Sequence, residues 1–250
     1  MIQTTATGGP PPQSGGPVDQ AFIDDLVLAS HILAEQGVLD GYGHCSVRHP
    51  HAKDRYFLSA SLSPAVIAAS DIMEYDLDSA PVDQRGRKMF LERFIHGEIY
   101  KARPEVNAVV HSHSPTVIPF SVSTVPLQPI CHMSAFLGGG VPNFEIHDAA
   151  QITDLLIRDN YLGRSLAHSL GRYDVCLMRG HGSVAVGADI MTAVYRAVYT
   201  EVNARLQAQA IALGGQIRFL AQGEYELIEN RTDKNYERPW RMWKERVRKP

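Results

Sequence analysis

Apolar residues recur along this chain at two spacings, and together these spacings predict its elements. Phe22, Leu26, Ala29 and Leu33 stand three or four positions apart, the period of one helix face, with Asp19 as cap and Gly37 as stop. A loop over 40–46 should then feed short strands at Val47–Arg48 and Tyr56–Leu58. The polar stretch 77–86 has hairpin character, and Leu91, Phe94, Ile95, Ile99 and Tyr100 return to helical spacing. Ala108-Val-Val110 lies between Pro104 and Pro115 and reads as a buried strand that runs into His111. A helix is expected from Asp148 to Leu170, followed by an apolar strand at 174–178, a tight turn at Arg179-Gly-His181-Gly182 and a strand at 183–186. Residues 188–213 predict a long amphipathic helix capped by Asp189, with Ile190, Val194, Ala197, Val198 and Val202 inward. Short strands mixed with helices, without strict βαβ alternation, predict an α/β sandwich with a largely antiparallel sheet.

Composition narrows the function classes. With 250 residues, 24 basic and 27 acidic side chains, the chain suits a single domain over 18–250, ending in a helical tail. A net charge of −3 carries no nucleic-acid footprint. No run approaches the roughly 20 apolar residues of a membrane span. Residues 1–17 are rich in Gly, Pro and Thr and read as a disordered tail rather than a signal peptide. Cys45, Cys131 and Cys176 are scattered, without CxxC spacing, as reduced thiols of a cytoplasmic protein would be.

The candidate chemistry centres on histidine. His111 and His113 are two apart on a predicted strand, so their side chains share a face. His181 sits between two glycines in a turn where backbone can approach a ligand. Three imidazoles suit a divalent cation (Zn, Mn, Fe or Co) and leave coordination positions open. The alternative for the pair is two hydrogen-bonded histidines at a strand end. Glu92, on the predicted helix upstream, adds a carboxylate, and His96 one turn on stands where it could orient it.

Glu92, then His111 at 111 − 92 = 19 positions, His113, and a late Gly-His-Gly resemble the class II aldolase/adducin family over about Ala21 to Leu213. The local string Ala102-Arg-Pro-Glu-Val-Asn-Ala-Val-Val-His-Ser-His strengthens the resemblance. It implies a three-layer α/β/α sandwich with a central, mainly antiparallel sheet. It also implies one divalent metal per subunit on His111, His113 and His181, with Glu92 as catalytic acid/base. A homo-oligomer, usually a tetramer, with sites at subunit interfaces is implied too.

Departures from the family pattern point to a branch within it. Sugar-phosphate members hold phosphate with a Gly-Asn-hydroxyl loop and a Thr/Ser-Pro-Ser-Gly loop. Here Gly43-His44-Cys45-Ser46 and Ser59-Ala60-Ser61-Leu62 stand in those places, and the second lacks the glycine that brings amides to a phosphate. With Cys131-His132-Met133 and the Trp-containing tail, this looks like the branch that decarboxylates hydroxylated aromatic or heteroaromatic acids, such as dihydroxyphthalate or hydroxy-methylpyridine dicarboxylate. The resemblance then implies a metal-dependent, non-oxidative decarboxylase. The metal on a ring oxygen would serve as electron sink, and Glu92 would donate the proton. Near neutral pH that donation would require a dry site to raise its pKa, something the sequence does not show.

His44 and Ser61 would hold a carboxylate or ring hydroxyl. Arg48 is either a bidentate carboxylate clamp or a solvated partner. His132 is either a relay group or a buried, satisfied histidine, and the Trp240/Trp243 tail either an aromatic lid over a neighbouring site or a solvated basic helix end. Two rivals remain, a sugar-phosphate aldolase or epimerase and a non-catalytic adducin-like scaffold, the latter expected to lose ligands that this chain keeps. A cupin needs a glutamate soon after the histidine pair, and the next one is Glu145. An amidohydrolase places the pair near the start of a longer barrel.

Overall fold

In the computed structural model, which describes residues 11–232 and 236–248, seven strands make one sheet. They are β1 (His44–Arg48), β2 (Arg55–Ser59), β3 (Ile72–Asp76), β4 (Ala108–Ser112), β5 (Asn143–Phe144), β6 (Val175–Met178) and β7 (Gly182–Gly187). The helices are α1 (Gln20–Glu35), α2 (Phe94–Ala102), α3 (Ile118–Ser121), α4 (Asn160–Leu170), α5 (Ile190–Leu213), α6 (Gln222–Glu229) and α7 (Glu237–Val247). Sheet order is β3-β2-β1-β4-β7-β6-β5, every neighbour antiparallel except the β5–β6 pair. This is the mainly antiparallel α/β sandwich that the apolar spacing predicts.

Alternation along the strands builds two cores. Cys45, Val47, Val110 and Ala185 face one side and pack with α1, α5 and α7, through Leu26, Ile32, Val194 and Trp243. Their neighbours Val109, Val184, Val186 and Cys176 face the other side, against Ile95 and Ile99 of α2 and Leu166 of α4. Because both faces are covered, β1, β4, β6 and β7 are buried at every position, which an antiparallel sheet with one wet face would not be.

Several expectations need correction. Residues 11–17 are not a loose tail: the Gly15 amide and Ser14 hydroxyl both donate to the Glu74 carboxylate at 2.6 Å, and Arg55 donates to the Gln13 carbonyl. Residues 1–10 of that expected tail lie outside the described residues. β1 begins at His44, inside the expected loop, and β3 went unpredicted. The expected 148–170 helix exists only as α4, whose cap is Asp159, accepting from Leu162 N. The tail tryptophans form no lid, since Trp240 and Trp243 are 7% and 2% exposed within the α1/α5 core. Lys234 of that tail lies outside the described residues. Among the described residues no helix is long and apolar enough to cross a membrane.

Candidate active site

β4 delivers His111 fully buried on the α2 side of the sheet, and His113 follows just past the strand end. Their Nε2 atoms lie 3.1 Å apart, which a shared face two residues along permits. His181 arrives from the β6–β7 turn, with its Nε2 3.0 Å from that of His113. Pairing of Ser112 with Ser183 draws this turn against β4. The approach is so close that a Cβ on Gly182 would stand 1.9 Å from the Ser112 carbonyl oxygen, so only glycine fits. Glu92 comes not from helix α2 but from a 3₁₀ turn before it (Leu91–Arg93), at φ −92°, ψ 18°. Its Oε2 is 3.4 Å from His111 Nε2 and 3.3 Å from His181 Nε2. One ligand atom from each of the four residues falls within 4.8 Å of the others.

Backbone carbonyls set the ring orientations. His111 Nδ1 is 3.2 Å from the Ser183 carbonyl, and His181 Nδ1 is 2.9 Å from that of Leu155. A carbonyl only accepts, so each Nδ1 carries a proton and each Nε2 turns a lone pair inward. With neutral rings those lone pairs would face a carboxylate oxygen and repel it, so the centre requires positive charge, supplied by protons on Nε2 or by a cation. The residues present therefore fit a divalent ion, with three nitrogens and one oxygen as its donor set.

Electrostatics follow from the crowding. Burial alone would push the Glu92 carboxyl up, but the imidazoles of His111 and then His181 outweigh it and hold the group well below the usual carboxylate range. The expected dry, raised carboxyl is thus reversed. The Ile157 amide, donating to Glu92 Oε1 at 3.0 Å, also favours the ionised form. Burial opposes charge on His181, yet its bond to Glu92 raises it overall. His113 is pushed down to about 4 by burial and then by its fellow imidazoles.

The segment 152–158, misread as helix, carries two of these ties. Leu155 bonds His181 through its carbonyl at a left-handed φ of +67°, and Ile157 bonds Glu92. The 152–158 segment contributes only backbone atoms to both ties, so no residue type within it announces them in the sequence. Tyr42, 70% exposed, stands at the rim with its ring 6.2 Å from His113.

The residues expected to contact substrate separate into groups. His44 pairs with His111 across β1–β4, its ring 5.1 Å from His111 and 4.3 Å from Phe90. Burial, then His96 and His111, hold its pKa well below the ordinary imidazole value. His96 turns to His44 and Ser46 rather than orienting Glu92. Ser61 is exposed two residues beyond the end of β2, where continuing the β1–β2 register sets its neighbour Ala60 level with His44. Around it the amides of Ala60, Ser61 and Leu62 are committed to the carbonyls of Asp71, Lys88 and Ala60.

Arg48 is no substrate clamp. It sits four residues from His44, about 13 Å along the strand, and its guanidinium donates to the carbonyls of Val106, Lys53, Tyr100 and Arg103. His132 is exposed at the start of a 3₁₀ segment (His132–Leu137) that Ser134 fastens to Asn203 of α5. It is not buried, and it is not among the four clustered groups.

Known proteins resemble this chain in sequence and in fold. Residues 24–208 match the family described as the class II aldolase and adducin N-terminal domain. The chain is 41% identical over 244 residues to the decarboxylase tropJ of Talaromyces stipitatus, covering 88% of this chain and 92% of that one. It is 29% identical over 246 residues to a 3,4-dihydroxyphthalate decarboxylase of Arthrobacter keyseri, covering 92% and 95%. Its fold superposes on an aldolase II superfamily protein of Pseudomonas syringae with a TM-score of 0.79 at 23% identity, over 93% and 94% of the two chains.

Proposed function

The chain belongs to the class II aldolase and adducin N-terminal domain family, and on that premise we propose that it is a non-oxidative decarboxylase of a hydroxylated aromatic or heteroaromatic acid. Relatives named decarboxylases support the reaction type. The observation that carries the choice of carboxylate over sugar phosphate is the 59–62 loop. A phosphate is held by several free amides converging on it, and here the Ala60, Ser61 and Leu62 amides are already spent on carbonyls. His44, buried beside His111, offers an imidazole edge instead, suited to a flat acid.

His111, His113 and His181, clustered with Glu92, would hold one divalent cation per subunit, of zinc, manganese, iron or cobalt type. When bound, this ion supplies Lewis acidity for the charge that develops on the ring oxygen next to the breaking bond. Glu92, ionised between its imidazole neighbours, takes the proton of the ring hydroxyl as the acid binds and returns it to the carbon bearing the carboxylate. The C–C bond then breaks, CO₂ leaves, and its electron pair returns through the ring to the oxygen. His44 and Ser61 orient the acid, and Phe90 closes the site beside His44. Exposed Tyr42 and Val122 flank this region. With the family resemblance they support a homo-oligomer, a tetramer or a multiple, whose subunits meet here; a cytoplasmic location rests on the scattered, unpaired cysteines.

The test is CO₂ release by cation-loaded protein against a panel of hydroxylated phthalates and pyridine dicarboxylates, with ketose phosphates in parallel. Turnover of an aromatic acid, without competition from a ketose phosphate, is expected. Retro-aldol cleavage of a sugar phosphate, with no CO₂ from any acid, would move the protein to the aldolase branch.

A further inference from the structure

Every second residue of β1 on the α2 side is polar and buried: His44, Ser46 and Arg48. Two of these join α2 in one hydrogen-bonded line. Tyr100 Oη lies 2.7 Å from Ser46 Oγ, Ser46 Oγ 2.6 Å from His96 Nδ1, and His96 Nε2 2.6 Å from His44 Nδ1. Each link taken alone can run either way, and the closed end of the line decides between them.

Tyr100 is 1% exposed, and among the described residues Ser46 Oγ is the hydrogen-bond acceptor within reach of its hydroxyl. Running the line in reverse would strand that O–H inside the core without an acceptor, which a buried polar group does not tolerate cheaply. Tyr100 therefore donates to Ser46, and Ser46 spends its own proton on His96 Nδ1. Because its Nδ1 accepts from Ser46, the His96 ring carries its proton on Nε2 and donates it to His44 Nδ1. A neutral imidazole carries a single N–H, so the proton of His44 is on Nε2, the nitrogen that takes no part in the line.

We propose that Tyr100, Ser46 and His96 are positioning residues that lock His44 as its Nε2–H tautomer. His44 thereby recognises substrate through one fixed donor aimed at an acceptor oxygen, a carboxylate or ring oxyanion. The nature of that oxygen rests on the decarboxylase reading; the tautomer does not. Two consequences follow for the site. An Nε2–H cannot ligate a cation, so His44 is not a fourth imidazole ligand despite its contact with His111. Nor can it accept a proton at Nε2, which leaves proton transfer to Glu92.

The test begins with long-range ¹H–¹⁵N spectra of ring-labelled protein loaded with a diamagnetic cation, with His44 and His96 assigned through His44→Gln and His96→Gln. Both rings should show a protonated Nε2 and a bare Nδ1. A protonated Nδ1 on His44 would overturn the proposal. Kinetics then separate positioning from bulk packing. His96→Leu removes both hydrogen-bonding edges and should raise KM for the aromatic acid by roughly tenfold or more, with a smaller change in kcat. His96→Gln keeps an amide N–H for His44 and a carbonyl for Ser46, and should recover most of that loss. Wild-type KM in His96→Leu would also overturn it. Because the spectra need no substrate, a locked His44 in a protein that releases no CO₂ would sink the decarboxylase reading and leave the tautomer standing.

Discussion

Glu92 is held by groups that favour its charge, the Ile157 amide and two imidazoles, although burial works against that charge. That balance keeps it ionised in the resting site rather than protonated as a standing acid. Glu92→Gln should retain the fold and the cation, while kcat falls by ~10²–10⁴, the usual worth of a positioned acid/base. Full activity with normal cation content would remove Glu92 from the chemistry. Arg48 illustrates the opposite outcome for a charged residue near a candidate site. Its four carbonyl partners make it a brace between β1 and the α2–β4 connection. Lysine cannot reproduce that fork. Arg48→Lys should therefore cost about 2 kcal/mol, a fall in Tm of roughly 4–8 °C, with KM for the acid unchanged. A raised KM at unchanged Tm would restore the clamp.

Elements whose apolar pattern serves the core were legible in the sequence. α5 begins after the predicted cap, Asp189 accepting from Thr192 N, and β4 carries its histidine onto the expected face. What escaped was structure fixed by partners distant in sequence. β1 starts at His44 because its polar side chains are satisfied by α2, a fact that residue type alone hides. β3 hides Met73 and Tyr75 in an otherwise polar segment, and only pairing with β2 gives it a register. Residues 152–158 have enough apolar side chains to imitate a helix turn, yet the ties to His181 and Glu92 hold them irregular, tertiary contacts overriding local preference. At the site, the four clustered groups could be read from spacing and resemblance, while the backbone ties could not. Helix α7 supplies a separate test: Trp243 lies within the core packed on α1 and α5, so Trp243→Ala should destabilise the chain by about 3–5 kcal/mol. Unchanged stability with lost turnover would instead mark a lid.

Taken as a whole, the molecule assigns its two cores different tasks. The α1/α5/α7 side is closed by aliphatic and tryptophan packing. The α2/α4 side carries the buried polar line and, at one end of β4, the four convergent donors. A cation bound there ties the Glu92 turn, β4 and the β6–β7 turn together, so it should stabilise the folded chain by mass action. Adding excess cation to chelator-treated protein should raise Tm. Replacing His113, the imidazole that bridges the other two, with alanine should abolish that rise; a rise that survives would place the cation elsewhere. The central claim, that this cluster breaks a carbon–carbon bond to a carboxylate, is tested most directly by ¹³CO₂ evolution from carboxyl-labelled 3,4-dihydroxyphthalate and related hydroxy acids. Labelled gas should evolve with the cation-loaded protein, cease on chelation and return on reloading. No labelled CO₂ from any of these acids at full cation occupancy would contradict it.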